Sequence, residues 1–585
     1  MMKQIAKYGH ILFPLLFGVL VFVFWRGLYP FALTYHEQFQ LFLLDTDYFV
    51  SHLAQPGGLA RYVAEFLVQF YNMVTIGALL LALLYVLIQQ AVWRLAVNNS
   101  KGARPQWYAM TFVPSAILWL AMGDENVMMS FIVAFALQLA ILTAYPKHYI
   151  PRLLYALVMI PVCYWLLGPV VLMAVVYMAM VEFRTRASRW TAFSTSALMV
   201  VYALGMVLLS FVWLPYPLTQ LFYGIDYYRI PGVFFRLLLL PGLLAVILPF
   251  VMCSLPQRRS RSAHCLYAAC IVAVAALLCG LKPVAYDARK YDLIEYDYLA
   301  RLQRWDDIIR KSEQHMPDLP LSVSVTNLAL GMTQQLGDRA FHFYQNGGEG
   351  LLPRFERNHF SALSASEVYY LLGMTNTAQR FAFEAQEAIP NYNKSARIMK
   401  RLAETNLING QYDVAVKYLR LLQKTMFYRK WADRMMALAG NRKAVDQHPV
   451  YGYMRRCHLK EDFLYSETEA DKILGLLFMQ NKENTLAMQY LAVYPLMERD
   501  LQKFMLYLPI IENYKTYNPQ AIQEGVALAC MQQHQQPPQG FLNPMTEQRF
   551  RDFAQTYANS GKSKEQLSAF KNTFWFYMMA KDEAK

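Results

Sequence analysis

The stretch MVTIGALLLALLYVLIQQAVWRL, residues 73–95, holds a single charge, Arg94, in 23 positions. At 1.5 Å of rise per residue, about 20 such residues in an α-helix cross the hydrocarbon of a bilayer. Outward from it, the same texture recurs at 10–26, 108–122, 127–145, 149–166, 169–181, 191–214, 233–254 and 263–281, with mostly short polar connections. Residues 1–281 therefore read as an all-α, polytopic membrane helix bundle of about nine spans. Gly168-Pro169 divides the fifth run from the sixth, and a re-entrant hairpin there would carry the same pattern.

The connections give orientation, because short cytoplasmic loops retain Lys and Arg. One set of span ends holds Lys3, Lys7, Arg94, Lys101, Arg104, Lys147, Arg152, Arg184, Arg186, Arg189, Arg258, Arg259 and Arg261, the opposite set only Arg26, Arg61, Arg229 and Arg236. The N-terminus is thus expected in the cytoplasm, the bundle in an inner (plasma) membrane, and the C-terminal half, after an odd number of spans, outside. Trp25-Arg26-Gly27 offers no small-residue cleavage site, so the first run is expected to be a span and not a signal peptide. The formal net charge of +14 is spread over both halves and outlines no nucleic-acid surface. Of the seven cysteines, only Cys457 and Cys530 lie in the outer half. They could pair or stay free, and no CxxC or metal-type spacing is present.

From Lys282 onward charges fall on most helical turns. Residues 286–311 read as an antiparallel helix pair turning near 302–305, and 396–409 with 412–425 repeat the design around Asn409-Gly410-Gln411-Tyr412, with Ala415 small enough to let two helices close. This unit resembles a tetratricopeptide (TPR) repeat, with weaker copies at 366–388 and 484–512, and the resemblance implies an extracytoplasmic, TPR-like helical domain over 282–585 that docks a protein partner or an acceptor. A generic helical domain is the alternative. Gly347-Gly348-Glu349-Gly350 lacks the strand and Lys-Ser/Thr of a phosphate cradle and reads as a loop.

The first 280 residues contain eight acids, and the expected topology puts seven of them on the outer side: Glu37, Asp45, Asp47, Glu65, Asp124, Glu125 and Asp226, with Glu182 opposite. A carboxylate beside hydrocarbon is costly unless paired, hydrated or metal-bound, so such acids are functional candidates. The long outer loop 27–71 carries His36-Glu37, Asp45-Thr46-Asp47 and Gln55-Pro56-Gly57-Gly58, then an amphipathic stretch at 59–71. Its aromatics, among them Tyr35, Phe39, Phe42, Tyr62, Phe66 and Tyr71, suit a position at lipid headgroup level. Gly123-Asp124-Glu125-Asn126 forms the next outer turn, so both clusters lie at one plane, where carboxylates can bind a divalent metal or act as a base.

This arrangement resembles the GT-C membrane glycosyltransferases, which place one acidic motif in a long first outer loop and a second near spans three and four. The resemblance implies a transferase that moves a sugar or oligosaccharide from a polyprenyl-phosphate carrier to an extracytoplasmic acceptor, with Glu37, or Asp45 and Asp47, in the first motif and Asp124 with Glu125 in the second. It further implies Asp47 or Glu37 as base, Arg61, Arg229 and Arg236 on the lipid phosphate, residues 216–229 as a wall of the sugar site, and Asp47, Asp124 and Glu125 as ligands of a divalent Mg or Mn ion. Fewer spans and the helical-repeat tail set this chain apart from better-known members. The rival expectation is a non-enzymatic membrane scaffold whose outer repeats gather envelope proteins. Ionisable residues are scarce within the spans, which argues against an ion-coupled transporter.

Overall fold

The computed structural model describes residues 2–99, 105–186, 188–230, 236–254, 286–354, 361–389, 393–459, 469–512, 518–560 and 565–579, with 272, 276 and 280. The ninth expected span, 263–281, lies outside them apart from those three positions. Among the described residues the chain is all-helical, and β pairing is limited to one isolated antiparallel bridge between Val127 and Tyr228. Two compact units form: Met1–Tyr291 with Ile389–Ala396 and Gln423–Lys430, and the remainder of 292–585.

In the first unit, helices stand at all eight expected spans that fall among the described residues: α1 (Met2–Val23), then, after the loop helices α2 (Pro30–Glu37), α3 (Thr46–Leu53) and α4 (Gly58–Val68), α5 (Val74–Asn98), α6 (Phe112–Ala121), α7 (Met129–Leu142), α8 (Tyr149–Leu167), α9 (Val171–Thr185), α10 (Arg189–Trp213) and, after the short α11 (Leu218–Tyr223), α12 (Leu239–Ser254). Five runs are long and apolar enough to cross a membrane: Gly9–Leu28, Val74–Asn98, Tyr149–Leu167, Arg189–Trp213 and Arg236–Ser254. The apolar helices Trp107–Ala121 and Met129–Leu142 are shorter. α5 is central, packing on α1, α6, α7 and α12 through Gly77, Ala78, Leu81, Tyr85, Ile88 and Val92. Gln89 donates to Thr111 Oγ1 at 2.7 Å, and Ser115 of α6 donates to the Tyr85 carbonyl at 3.0 Å, which ties α5 to its neighbours by polar as well as apolar contacts. α1 and α10 turn Ile11, Leu15, Leu16, Val19, Leu198, Val201 and Val212 outward.

The loop 27–71 does not lie flat. Pro30 occupies the first turn of α2, where its missing N–H costs no bond. Gly57, at φ +85°, supplies the left-handed turn into α4, and a Cβ on Gly58 would sit 1.7 Å from the His52 carbonyl oxygen, so α3 and α4 close only on these two glycines. α4 then packs on α7 and α8 with Ala60, Ala64, Glu65 and Val68 buried. Tyr35, Phe39, Phe42 and Tyr71, expected at headgroup level, are instead interior residues. Phe42 sits edge-on to Tyr48, Tyr62 and Phe66 in one aromatic cluster, because burial removes far more apolar area than a belt position would.

In the second unit, helix pairs occupy the expected places. Trp305–Gln314 follows Ala288–Arg301, and Ala396–Asn409 turns into Tyr412–Gln423, with Ala415 fully buried. Ser361–Leu372 with Thr375–Glu387, and Thr485–Met497 with Leu501–Glu512, form two further pairs. Asp297 takes two hydrogen bonds from Arg397, and Arg401 pairs with Glu367, so each of these two buried cations meets an opposite charge. Cys457 and Cys530 are both buried free thiols, which decides between the two sequence alternatives.

Candidate functional site

The loop acids of the first unit sort into separate environments. Asp45 pairs with Lys424 at the surface, and the Lys424 hydrogen bond lowers its pKa. Asp47 stands exposed on the first turn of α3. Glu37 is buried at the end of α2 and accepts from the Tyr428 hydroxyl at 3.1 Å. Asp124 accepts from the Asn126 backbone N–H at 2.8 Å and from the Tyr228 hydroxyl at 2.9 Å. Glu125, buried, takes Lys290 Nζ at 2.6 Å and the Asn126 amide at 3.0 Å; this contact raises the Lys290 pKa against the burial that lowers it.

The densest charge network is built on Glu65 and Asp226, acids outside the two expected acidic motifs. Arg61 on α4 donates to Glu65 Oε1 at 2.8 Å, one turn on, to Asp226 Oδ2 at 3.0 Å, and to Asn393 Oδ1 at 2.7 Å. His52 on α3 reaches the Tyr48 carbonyl through Nδ1 at 2.8 Å and Glu65 Oε2 through Nε2 at 2.9 Å, while the Tyr48 hydroxyl donates to the same carboxylate. Arg61 thus faces two carboxylates, and His52 bridges Glu65 to the Tyr48 carbonyl. Burial alone would raise the Glu65 carboxyl, yet the Arg61 charge and the bonds from His52 and Tyr48 hold it down at about 2. Burial raises the Asp226 carboxyl in spite of Arg61, and Arg61 itself is raised because its two carboxylates outweigh its burial.

Residues 226–229, Asp-Tyr-Tyr-Arg, join these environments. Asp226 holds Arg61; the Tyr227 hydroxyl donates to the Leu167 carbonyl at the end of α8; Tyr228 holds Asp124. The Arg229 N–H donates to the Asn126 carbonyl at 2.7 Å and the Met128 N–H to the Tyr227 carbonyl at 3.0 Å. The Arg229 side chain then reaches into the first loop, its guanidinium 4.4 Å from the Phe39 ring centre and 5.2 Å from that of Tyr35. Arg229 is 2% exposed, and its Nε and Nη1 meet no acceptor and no carboxylate among the described residues. His36 lies near it, buried, with Nε2 equally unpartnered. Burial and the Arg229 charge lower its pKa to about 3, so the ring is neutral.

Arg229 therefore contacts both acidic turns, through its backbone to Asn126 beside Glu125 and through its guanidinium to the rings that flank Glu37 in sequence. Asp45 and Asp47 lie apart from this arrangement in their contacts, Arg61 has its donors engaged, and Arg236 is exposed in the short helix Arg236–Leu238. No group of three or more His, Cys, Asp or Glu side chains placed to hold a metal ion gathers among the described residues. The i,i+4 spacing of Arg61 and Glu65 on an amphipathic stretch was a readable signal; nothing local in sequence pointed from Arg61 to Asp226, 165 positions on.

Fold and site together define an all-helical protein with a bundle of membrane-length apolar helices, at whose polar loops a buried arginine stands without a counter-charge among the described residues. The chain belongs to DUF6057, a family of unknown function, whose model matches residues 5–581. No curated protein and no solved structure matches it.

Proposed function

We propose that the chain is an integral membrane glycosyltransferase of the GT-C kind, moving a sugar or oligosaccharide from a polyprenyl-phosphate carrier to an acceptor hydroxyl on the extracytoplasmic side. The observation that carries this reading is Arg229. An uncompensated guanidinium in a buried site costs several kcal/mol, and a phosphate accepting from its free Nε–H or Nη1–H offsets that cost with a charge-assisted hydrogen bond. The neutral His36 beside it adds no competing charge.

In the transfer, the acceptor oxygen attacks the anomeric carbon as the bond from that carbon to the phosphate oxygen breaks. The electron pair leaves with the polyprenyl phosphate, onto Arg229, and the acceptor proton passes to the Glu37 carboxylate. Asp124 and Glu125, held by Tyr228 and Lys290, face the acceptor's remaining hydroxyls. No step is routed through a metal. In this reading the N-terminus is cytoplasmic and the helical second unit extracytoplasmic.

The test is complementation of a deletion strain with Arg229→Met and, separately, Glu37→Gln. Loss of an envelope glycan with both variants at wild-type abundance supports the transferase. Full restoration by both variants leaves the scaffold reading in its place.

A further inference from the structure

The second unit contains a cavity of about 1040 Å³ lined by the 408–412 turn together with Asn376, Arg442, Asp446, Gly452, Arg455, Arg456, His458, Gln480 and Asn481. That volume lies at the upper end of ligand pockets, which run from roughly 300 to 1,000 Å³. Its lining is unlike an apolar pocket. Five carboxamides (Asn376, Asn409, Gln411, Gln480, Asn481) and three arginines stand against one carboxylate, Asp446.

Arg455 forms the floor and is fully engaged. It donates to the Ile408 carbonyl at 2.9 Å, the Leu407 carbonyl at 3.0 Å, Tyr412 Oη at 2.7 Å and Asp446 at 2.8 Å. It thereby caps the last carbonyls of helix Ala396–Asn409 and neutralises the cavity's single acid. Arg442 and Arg456 remain. Both are exposed, Arg442 has no ion pair among the described residues, and the one carboxylate that Arg456 meets among them is Glu483, at 3.6 Å with both side chains more than half exposed, a contact worth little; the Arg456 guanidinium also lies 5.9 Å from the Tyr453 ring centre. His458 is half-buried and its pKa is lowered by burial, so it adds no charge at neutral pH. Asn409 donates to Asn376 at 2.8 Å, but its own buried carbonyl oxygen accepts from no one. An unmet acceptor in a positively charged groove calls for a ligand that supplies N–H groups along with carboxylates.

We propose that this groove binds an extended acidic peptide segment, its carboxylates on Arg442 and Arg456 and its backbone N–H groups on the Asn409 carboxamide. Peptide meets both needs at once, since every residue carries a backbone donor and Asp or Glu adds the charge. An anionic glycan supplies charge but relies on aromatic platforms for its sugar faces, and the lining offers one ring, Tyr412, whose hydroxyl is already bound to Arg455. The inference stands apart from the transferase reading, because a scaffold would use the same groove.

Fluorescence anisotropy of the full-length protein in detergent, titrated into labelled oligoglutamate, oligolysine and uncharged peptides of equal length, tests it. Wild type is expected to bind the oligoglutamate peptide about tenfold more tightly than the uncharged one, with affinity falling as salt is added. Arg442→Glu/Arg456→Glu is expected to lose the acidic peptide and take up the basic one, while Arg551→Glu, on an exposed helix outside the cavity, behaves as wild type. Asn409→Ala should weaken the acidic peptide without changing the salt dependence. Equal binding of acidic and uncharged peptides, an unaltered preference in the double variant, or binding of polygalacturonate in place of peptide would each overturn the proposal.

Discussion

Arg61 and Arg229 are two buried arginines of the same unit, and their surroundings are opposites. Arg61 gives its guanidinium to Glu65, Asp226 and Asn393, while Arg229 lies over the rings of Phe39 and Tyr35 with two nitrogens unanswered. Only tertiary pairing separates them, since the sequence expectation gives both the same side of the bundle. The paired cation holds α4 to the 226–229 segment, and the other has no counter-charge among the described residues.

The largest effect is expected at Arg61. Arg61→Met strips the counter-charge from two buried carboxylates and should lower stability by roughly 3–5 kcal/mol, read as a fall in melting temperature in detergent. Arg229→Met removes a charge with no partner to orphan, so its melting temperature should equal or exceed that of wild type. If Arg229→Met melts as low as Arg61→Met, the contrast collapses and Arg229 is structural. Next, a polyprenyl phosphate at 100 times its dissociation constant should stabilise wild type by roughly 2.7 kcal/mol and leave Arg229→Met unmoved. An equal shift in both proteins would place the phosphate elsewhere.

The acid limb sharpens the Arg61 side. The Glu65 carboxyl is depressed from 4.5 to about 2, so its contribution is complete above 4.5 and is lost as pH falls toward 2. Asp226, raised by burial, works in the opposite sense, its stabilisation being lost as pH rises through its folded value. Glu65→Gln should therefore flatten the stability profile between pH 4.5 and about 2, and an unchanged slope would mean that the network titrates through other groups. The smallest effect belongs to Asp45→Asn at the surface pair with Lys424, where no measurable change in melting temperature is expected.

The helices of the first unit were legible because each apolar run is long and its hydrogen bonds are local, so hydropathy alone reports them. The helix pair at 396–409 and 412–423 was legible from its turn, Asn409-Gly410. The site was legible in part. Both acidic turns were visible, and so was Arg229 as one of a few outer cations. Which acids pair with which cation was not visible: nothing local tied Asp226 to Arg61, and of the first-loop aromatics that read as a lipid belt, Tyr35, Phe39, Phe42 and Tyr71 are buried while Tyr48, Phe49, Tyr62, Phe66 and Phe70 are only partly so. A local pattern states that a charge is amphipathically placed, never which distant charge will neutralise it.

By itself, then, the sequence determined the helical elements, the apolar bundle and the small set of charges at its loops, since these depend on neighbours within a turn or two. The tertiary structure alone decided that segments 389–396 and 423–430 belong to the first unit, bringing Asn393 to Arg61 and Tyr428 to Glu37. It alone left Arg229 without a partner among the described residues, because pairing across more than a hundred positions is set by how the helices pack and not by any stretch of chain.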